Sequence, residues 1–266
     1  MKKYLFFCLS VICFVLISCS DEEYMHSQNN IFPKTLHTKY PSAPSQNFLT
    51  TIVYDGSKIL MISNEKEKIK YLYEGSYIVK ETRYKLVNGR EVEYSETSYE
   101  YENEDLKTVN VNLSGKVKKY VYSYKSDGTI LKETYDFDNK TEKEFKNSEN
   151  KILTFVRGNL TNSVFSWGFR DIVSTSRYDY DERNNAFKNV LGFSKLLDQI
   201  NFESEQNISS SNNLKKYDVK INYVPDMIFE PCSYNMEYEY NKSGYPTKKT
   251  IYDYKGEIEE IVEYSY

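Results

Sequence analysis

Tyrosines at alternate positions constrain the fold of this chain more than any other feature of its sequence. The 266 residues include 27 Tyr and 14 Phe but one Trp. Many Tyr recur at a spacing of two: Tyr71 and Tyr73, Tyr99 and Tyr101, Tyr120, Tyr122 and Tyr124, Tyr178 and Tyr180, Tyr238 and Tyr240, and Tyr252 and Tyr254. Successive side chains of a β-strand point to opposite faces, so this spacing places the rings on one face of each strand. The pattern predicts antiparallel strands stabilised by cross-strand aromatic pairs.

Glycine turns separate these strands. They are Glu74-Gly75, Asn88-Gly89, Ser114-Gly115, Asp127-Gly128, Ser243-Gly244 and Lys255-Gly256. The Asn-Gly and Asp-Gly pairs are the clearest hairpin signals, because these residues tolerate the positive φ of a tight turn. Residues 50–147 and 215–266 are therefore predicted to form meanders of hairpins. We expect residues 49–266 to be a single all-β domain, an antiparallel sheet that is curved or barrel-like.

The centre of the chain has a different periodicity. After a polar stretch at residues 179–185, apolar residues recur mostly at steps of three and four: Phe187, Val190, Leu191, Leu196, Leu197 and Ile200. This spacing predicts one short amphipathic helix near residues 187–200, which Gly192 weakens. The Ser- and Asn-rich residues 207–213 are predicted to be a loop.

The N-terminus has the pattern of a bacterial lipoprotein signal peptide. Two lysines precede an almost wholly apolar run, residues 4–17, which is shorter than the roughly 20 residues needed to span a bilayer. The small residue Ser18 then precedes Cys19. This lipobox predicts that residues 1–18 are a signal peptide and that Cys19 is lipidated. An ordinary anchor helix explains the order of these features less well.

The residues that follow Cys19 predict the location of the protein. Ser20, Asp21, Glu22 and Glu23 resemble the acidic export tag of Bacteroidota lipoproteins, which in those proteins marks transport to the outer face of the outer membrane. The resemblance implies a lipid-anchored outer-membrane protein exposed at the cell surface, with the periplasmic face as the alternative. Residues 19–48, which contain three prolines, are expected to be the lipidated N-terminus and a flexible tether.

Composition argues against several classes of function. The chain has 35 Lys and Arg against 39 Asp and Glu, and this acidic balance disfavours nucleic acid as a partner. Of the four cysteines, Cys232 alone lies beyond the lipidation site, so neither an internal disulfide nor a zinc site is expected. Both histidines, His26 and His37, fall in the predicted tether, which leaves no histidine base in the domain. We predict neither an enzyme nor a bound cofactor or metal.

Two groups of Asp and Asn residues have the spacing of cation ligands. Asp179, Asp181 and Asn185 are candidates for a Ca²⁺ loop, but the sequence lacks the Gly and the closing Glu of such a loop, which favours a solvated turn. Asp136 and Asp138 are expected to lie in a turn at a strand end.

Several motifs together resemble a known family: the Tyr-rich meander, the Asp179-Tyr-Asp segment leading into Asn185-Ala-Phe187-Lys-Asn, and the terminal Tyr-x-Tyr strand followed by Gly244-Tyr-Pro-Thr-Lys. They are similar to Bacteroidota lipoproteins of unknown function that are described as having a porin-like fold. The resemblance covers about residues 50–266 and departs from the family at Ala186, where members often have Pro. It implies an architecture and a location but no activity. The strand-turn-strand units also loosely resemble the YD/RHS repeats of surface proteins.

The predicted strands carry too many charges to face lipid. Lys119, for example, lies on the strand face opposite Tyr120 and Tyr122, and a charged side chain on the lipid face of a barrel costs about 2–4 kcal/mol at the bilayer midplane. We therefore expect a soluble barrel-like sheet with its aromatic side chains inward. The lipid on Cys19 is then its only contact with the membrane.

Two functions fit this description. The first is a non-enzymatic surface module that binds a glycan, a peptide or an envelope partner, and it predicts an exposed cluster of aromatic residues left over from core packing. Trp167 is the candidate for stacking on a sugar ring, with a core position as the alternative. The second is a structural or assembly component of an envelope complex, and it predicts a long unprotected edge strand that pairs with another protein.

Overall fold

Sixteen antiparallel strands close into a barrel in the computed structural model of this protein. The structure describes residues 31–266 apart from 139–142, 169–171, 201, 203–204, 206 and 223–231. The strands are β1 (Thr35–Lys39), β2 (Phe48–Asp55), β3 (Lys58–Ser63), β4 (Glu67–Glu74), β5 (Tyr77–Val87), β6 (Arg90–Glu102), β7 (Asp105–Leu113), β8 (Lys116–Tyr124), β9 (Thr129–Asp138), β10 (Lys143–Val156), β11 (Asn159–Trp167), β12 (Ile172–Asn184), β13 (Asn212–Asn222), β14 (Cys232–Tyr240), β15 (Pro246–Tyr252) and β16 (Ile258–Ser265). Each strand pairs with the next along the chain, and β1 also pairs with β16. The predicted all-β meander is confirmed, and it is closed.

Five hairpins at one end of the barrel share a common construction. Each turn has a residue with positive φ, such as Gly75 at 59° or Gly128 at 82°. The strand that follows has a buried Ile or Leu as its second residue: Ile59, Ile78, Leu106, Ile130 and Leu160. In four of these five hairpins the register shifts directly before the aromatic residue that pairs with this Ile or Leu. Such a β-bulge bends the strand and increases its twist. The strand-turn-strand repeat is therefore a hairpin, and four of these five copies contain a bulge.

The two tyrosines of an alternating pair have different roles. The first ring, as in Tyr71, Tyr99, Tyr122 and Tyr178, is buried inside the barrel. In three of these four pairs the hydroxyl of the second donates to a backbone carbonyl of the preceding strand: Tyr101 to Ile78 at 2.9 Å, Tyr124 to Leu106 at 3.1 Å, and Tyr180 to Leu160 at 2.8 Å. A buried phenol needs such a partner. One ring therefore fills the core while the next joins adjacent strands.

The connection between β12 and β13 folds into the barrel. We call the described residues of 185–211 the plug. Six of its large apolar side chains are at most 2% exposed: Phe187, Phe193, Leu196, Ile200, Phe202 and Ile208. They belong to one hydrophobic core with inward residues of the wall, such as Tyr122 and Leu153. Because porin barrels of 16 strands enclose an aqueous channel, the plug is what gives this barrel a packed interior.

The helix predicted near residues 187–200 is wrong. The segment consists of tight turns and one short 3₁₀ helix, Phe193–Leu196. Gly192 and Leu197, which flank it, have positive φ values of 83° and 53°. Positive φ lies outside the right-handed helical region. The spacing of the apolar residues reflects burial on all sides within a barrel and not one face of a helix.

The domain begins earlier than predicted. The predicted tether, residues 19–48, contains β1, whose Leu36 and Thr38 are buried on the inner face of the barrel. The prolines before and after β1 do not prevent this strand, because proline is tolerated at strand ends. Residues 1–30, with the predicted signal peptide, Cys19 and the acidic tag, lie outside the described residues.

The outer wall of the barrel is rich in ion pairs. They include Lys39–Glu263 at 2.6 Å, Lys80–Glu96 at 3.0 Å, Lys119–Glu144 at 3.0 Å and Lys248–Glu239 at 2.8 Å. One aromatic pair also departs from the inward pattern: Tyr252 donates to Glu237 on this wall, and Tyr254 is 59% exposed. In the described part of the chain, no helix has the length and apolar composition to cross a membrane.

Candidate binding groove and the buried ion pairs behind it

A buried carboxylate joins the plug to the barrel wall. Asp198 of the plug lies 3.1 Å from the Nζ atoms of both Lys132 on β9 and Lys151 on β10. It also accepts a 2.8 Å hydrogen bond from the hydroxyl of Tyr122 on β8. The side chain of Asp198 is only 5% exposed. One plug residue therefore contacts three consecutive strands.

Burial and charge act in opposite directions on this cluster. Burial alone raises the pKa of Asp198, but Lys132 and Lys151 outweigh it and hold that pKa well below its usual range. Burial lowers the pKa of Lys132, whereas for Lys151 the attraction of Asp198 exceeds the effect of burial and raises the pKa. Asp198 is thus a fixed negative charge at neutral pH, and the cluster anchors the plug.

The barrel wall opens between β13 and β14. Four residue pairs join these strands, and the last is Lys216 with Asn235. Beyond it, the register of the described residues contains no further pair, although β13 starts at Asn212 and β14 continues to Tyr240. On their other sides both strands remain paired, β13 with β12 and β14 with β15. The gap is therefore a local opening in a continuous barrel.

Two hydrogen bonds span this opening. The hydroxyl of Tyr238 donates to the backbone carbonyl of Leu214 at 2.9 Å. Farther along, the backbone N–H of Asn184 donates to the carbonyl of Gly244 at 3.2 Å. The opening is thus bounded at one end by the paired part of β13 and β14 and at the other by the turn after β14.

A groove of about 700 Å³ occupies the opening. We call it the seam groove, and its principal lining residues are Tyr180, Asp181 and Arg183 of β12 with Met236, Tyr238 and Tyr240 of β14. The exposed outward residue Glu237 and the buried inward residue Met236 both line it. A groove lined by residues of both faces extends into the wall.

Aromatic and charged groups lie side by side in the seam groove. The rings of Tyr238 and Tyr240 are 24° from parallel, with centroids 6.0 Å apart. The guanidinium carbon of Arg183 lies 5.9 Å from the centroid of Tyr240. The hydroxyl of Tyr240 donates to the carboxylate of Asp181; burial first, and this carboxylate second, raise the pKa of Tyr240. The ring is therefore held by a hydrogen bond at its hydroxyl and contacted by a cation at its face.

A second buried ion pair lies behind the groove. Oε1 of Glu205 in the plug is 2.8 Å from Nζ of Lys249 on β15 and accepts a 2.7 Å hydrogen bond from Tyr264 on β16. Burial, together with the charge of Glu205, raises the pKa of Tyr264 well above its usual value, so the phenol keeps its proton. These groups line a cavity of about 20 Å³ together with Asn185 and Asn213. That volume accommodates one water-sized group. We call it the Glu205 cavity.

The acidic residues singled out in the sequence mainly stabilise local structure. Asp181 accepts from the backbone N–H groups of Arg183 at 3.0 Å and Asn213 at 3.1 Å, and Asn185 accepts from the N–H of Phe187 at 2.8 Å. Asp136 accepts from the side chain of Asn147 at 2.6 Å, and Asp138 ends β9. No group of three or more His, Cys, Asp or Glu that could hold a metal occurs where the chain is described.

Trp167 lies away from the seam groove. It ends β11, and its ring packs edge-on against Phe165 with centroids 4.4 Å apart. The side chain is half-buried. Its role in sugar binding stays a prediction. Cys232 begins β14.

Sequence reasoning missed the buried charges. Lys132 and Lys249 carry one usable signal, because each is two residues from an apolar side chain of the inner face, Ile130 and Ile251 respectively. A lysine in phase with apolar residues on a strand points into the barrel. Nothing in the local sequence marks Asp198 and Glu205 as their respective counterparts.

Comparison with solved structures agrees with the fold. A porin-like protein from Bacteroides vulgatus has a TM-score of 0.56 at 13% identity, covering 89% of this chain and 98% of that one. A porin-like protein from Bacteroides uniformis has a TM-score of 0.45 at 10% identity, covering 88% and 96%. No family model matches the chain, and no curated protein matches it. The first likeness confirms the porin-like fold implied by the sequence and carries no information on activity.

Proposed function

We propose that this protein is a lipid-anchored, non-enzymatic envelope protein that binds a glycan in the seam groove. The observation that carries the proposal is the groove itself: about 700 Å³ of concave space at an opening in the wall, lined by three tyrosines, three carboxylates, a guanidinium and an ammonium group. Ligand sites typically combine aromatic surface with a few placed polar groups.

Glycan chemistry matches this lining. A sugar ring presents C–H groups on its faces, which pack against aromatic rings, and hydroxyls at its edge, which both donate and accept hydrogen bonds. Arg183 supplies donors, and Glu182 and Glu237 supply acceptors. Because these charges of opposite sign are interspersed, the lining favours a neutral ligand over a strongly charged one.

The charged outer wall and the filled interior support a role other than conduction. Ion pairs such as Lys80–Glu96 and Lys119–Glu144 would face hydrocarbon in an inserted barrel, where each charge costs about 2–4 kcal/mol at the midplane. The plug occupies the space that a channel requires. Attachment through Cys19 makes insertion unnecessary, since several acyl chains give stable anchoring.

The alternative of an assembly component finds less support. Edge pairing requires a strand with one unpaired side. In the described barrel each strand has two neighbours, and the unpaired segments at the seam are bridged by Tyr238 and Leu214.

Replacing Tyr240 by Ala is expected to weaken glycan binding at least tenfold, because it removes ring surface from the seam groove and leaves Asp181 without its phenol donor. Full-length lipoprotein in detergent micelles is tested on a glycan array, and the best ligand is titrated by calorimetry. Tyr254→Ala removes an exposed tyrosine in the turn after β15, at the end of this strand far from Tyr240, and is expected to leave affinity unchanged. If Trp167→Ala abolished binding while Tyr240→Ala did not, the site would lie at Trp167 and the groove proposal would be wrong.

Replacing Cys19 by Ala is expected to release the protein from the membrane. Lipidation of Cys19 is the proposed anchor, and the charged outer wall gives the barrel no affinity for hydrocarbon. The measurement is the distribution of wild type and variant between membrane and soluble fractions after a carbonate wash. Retention of the variant in the membrane pellet would contradict the proposed mode of attachment.

A further inference from the structure

The seam groove and the Glu205 cavity are adjacent spaces. Met236 and Tyr238 line both of them. Asn213 connects the two: it lines the cavity, and its side-chain amide donates to Asp181 of the groove at 3.2 Å. The groove therefore ends at a thin partition of side chains, with a buried ion pair behind it.

The partition can open without disturbing the sheet. Met236 is unbranched and adapts its shape through three rotatable bonds. Tyr238 is held at its hydroxyl by the carbonyl of Leu214, at a point where β13 and β14 are no longer paired. Rotation of these two side chains leaves the backbone hydrogen bonds of the barrel intact.

The cavity accepts one small polar group. Its volume of about 20 Å³ is far below that of a sugar ring, and a water-sized group fills it. The carboxylate of Glu205 has about four lone-pair sites, so it can accept from a further hydroxyl besides Lys249 and Tyr264. The ammonium group of Lys249 and the phenol of Tyr264 are donors at the same point.

We propose that the exocyclic hydroxymethyl group of a bound sugar passes from the seam groove into the Glu205 cavity, so that the protein selects hexose units over the pentose units that lack this group. The inference rests on the glycan-binding function proposed above. The ring of the sugar stays in the groove, against Tyr238 and Tyr240. The hydroxyl of its arm donates to Glu205 and accepts from Lys249.

Matched pairs of oligosaccharides test this selection. Hexasaccharides of β-1,4-linked glucose and of β-1,4-linked xylose differ by this hydroxymethyl group, and galactose and arabinopyranose oligomers form a second pair. We expect full-length wild-type protein to bind the hexose member of a pair at least tenfold more tightly, because a site built around a hydroxyl strongly rejects a ligand that lacks it. The Glu205→Leu/Lys249→Met double variant is expected to bind both members equally.

The double variant removes both charges together, because removal of one alone would leave the other buried without its opposite charge from this ion pair. Its thermal unfolding midpoint is compared with that of the wild type to establish folding. If the double variant does not fold, Tyr264→Phe keeps the ring, deletes one hydroxyl of the cavity and is expected to lower the hexose preference at least threefold.

The outcomes separate the two proposals. Equal affinity of wild type for hexose and pentose members, or a preference that persists unchanged in the variants, would overturn the hydroxymethyl pocket and leave the groove intact. Absence of binding to every glycan on the array would overturn both.

Discussion

Replacing Asp198 by Asn is expected to lower the free energy of unfolding by about 3–5 kcal/mol, the usual effect of removing one member of a buried ion pair. Asn has nearly the same shape and still accepts from Tyr122. The loss would therefore come from Lys132 and Lys151, which would be left close together in the interior with no counter-charge. The measurement is urea-induced unfolding at pH 7.

Glu263→Gln is the matched control. It also removes one carboxylate from an ion pair, with Lys39 at 2.6 Å, but both side chains are more than a third exposed. Exposed pairs contribute about 0–1 kcal/mol. Equal destabilisation by the two substitutions would show that Asp198 is not an anchor.

The same cluster predicts sensitivity to acid. The pKa of Asp198 is lowered in the folded state, so its contribution to stability is fully present above the unfolded-state value of about 3.9 and is lost as the pH falls below it. The wild type is expected to lose stability below about pH 4, and Asp198→Asn to lose less over the same interval. An identical pH dependence in both proteins would contradict the assigned charge state.

Replacing Phe187 by Ala is expected to cost about 3–5 kcal/mol, as for other fully buried phenylalanines. Phe187 is 1% exposed and packs in the plug against Phe193 and edge-on against Phe202, with ring centroids 6.1 Å and 5.2 Å away. Truncation leaves a cavity among residues that the barrel wall confines. The shift in the urea midpoint measures the effect.

Phe145→Ala provides the comparison on the barrel wall. Phe145 lies on β10 and is 51% exposed, so its truncation is expected to change stability by no more than about 0.5 kcal/mol. A plug that merely occluded a channel would tolerate Phe187→Ala as well as the wall tolerates Phe145→Ala. A large difference between the two would show that the plug is the core of this barrel.

The sequence was sufficient for the strands and the hairpins because both are local. A spacing of two between Tyr99 and Tyr101 is enough to identify a strand with one buried face, and Asn88-Gly89 is enough to identify a turn with positive φ. The strand-turn-strand repeat was visible for the same reason, although its buried Ile or Leu and its bulge were not.

The plug could not be recognised from periodicity. Phe187, Val190 and Leu197 have the spacing of a helix, and only the positive φ of Gly192 and Leu197 shows that the segment turns inside a barrel. Periodicity measures the separation of apolar residues along the chain and does not distinguish one buried face from burial on every side.

The candidate site depended entirely on tertiary structure. Asp198 lies 66 residues from Lys132 in the chain, and Glu205 lies 44 residues from Lys249. Closure of the barrel by β1 and β16 and insertion of the plug bring these charges together. By itself the sequence determined that the chain forms antiparallel hairpins with inward tyrosines, because alternation and turn chemistry act between near neighbours. Only the tertiary structure decided that the sheet closes around its own plug and opens between β13 and β14, because closure, burial and strand separation depend on residues far apart in the chain.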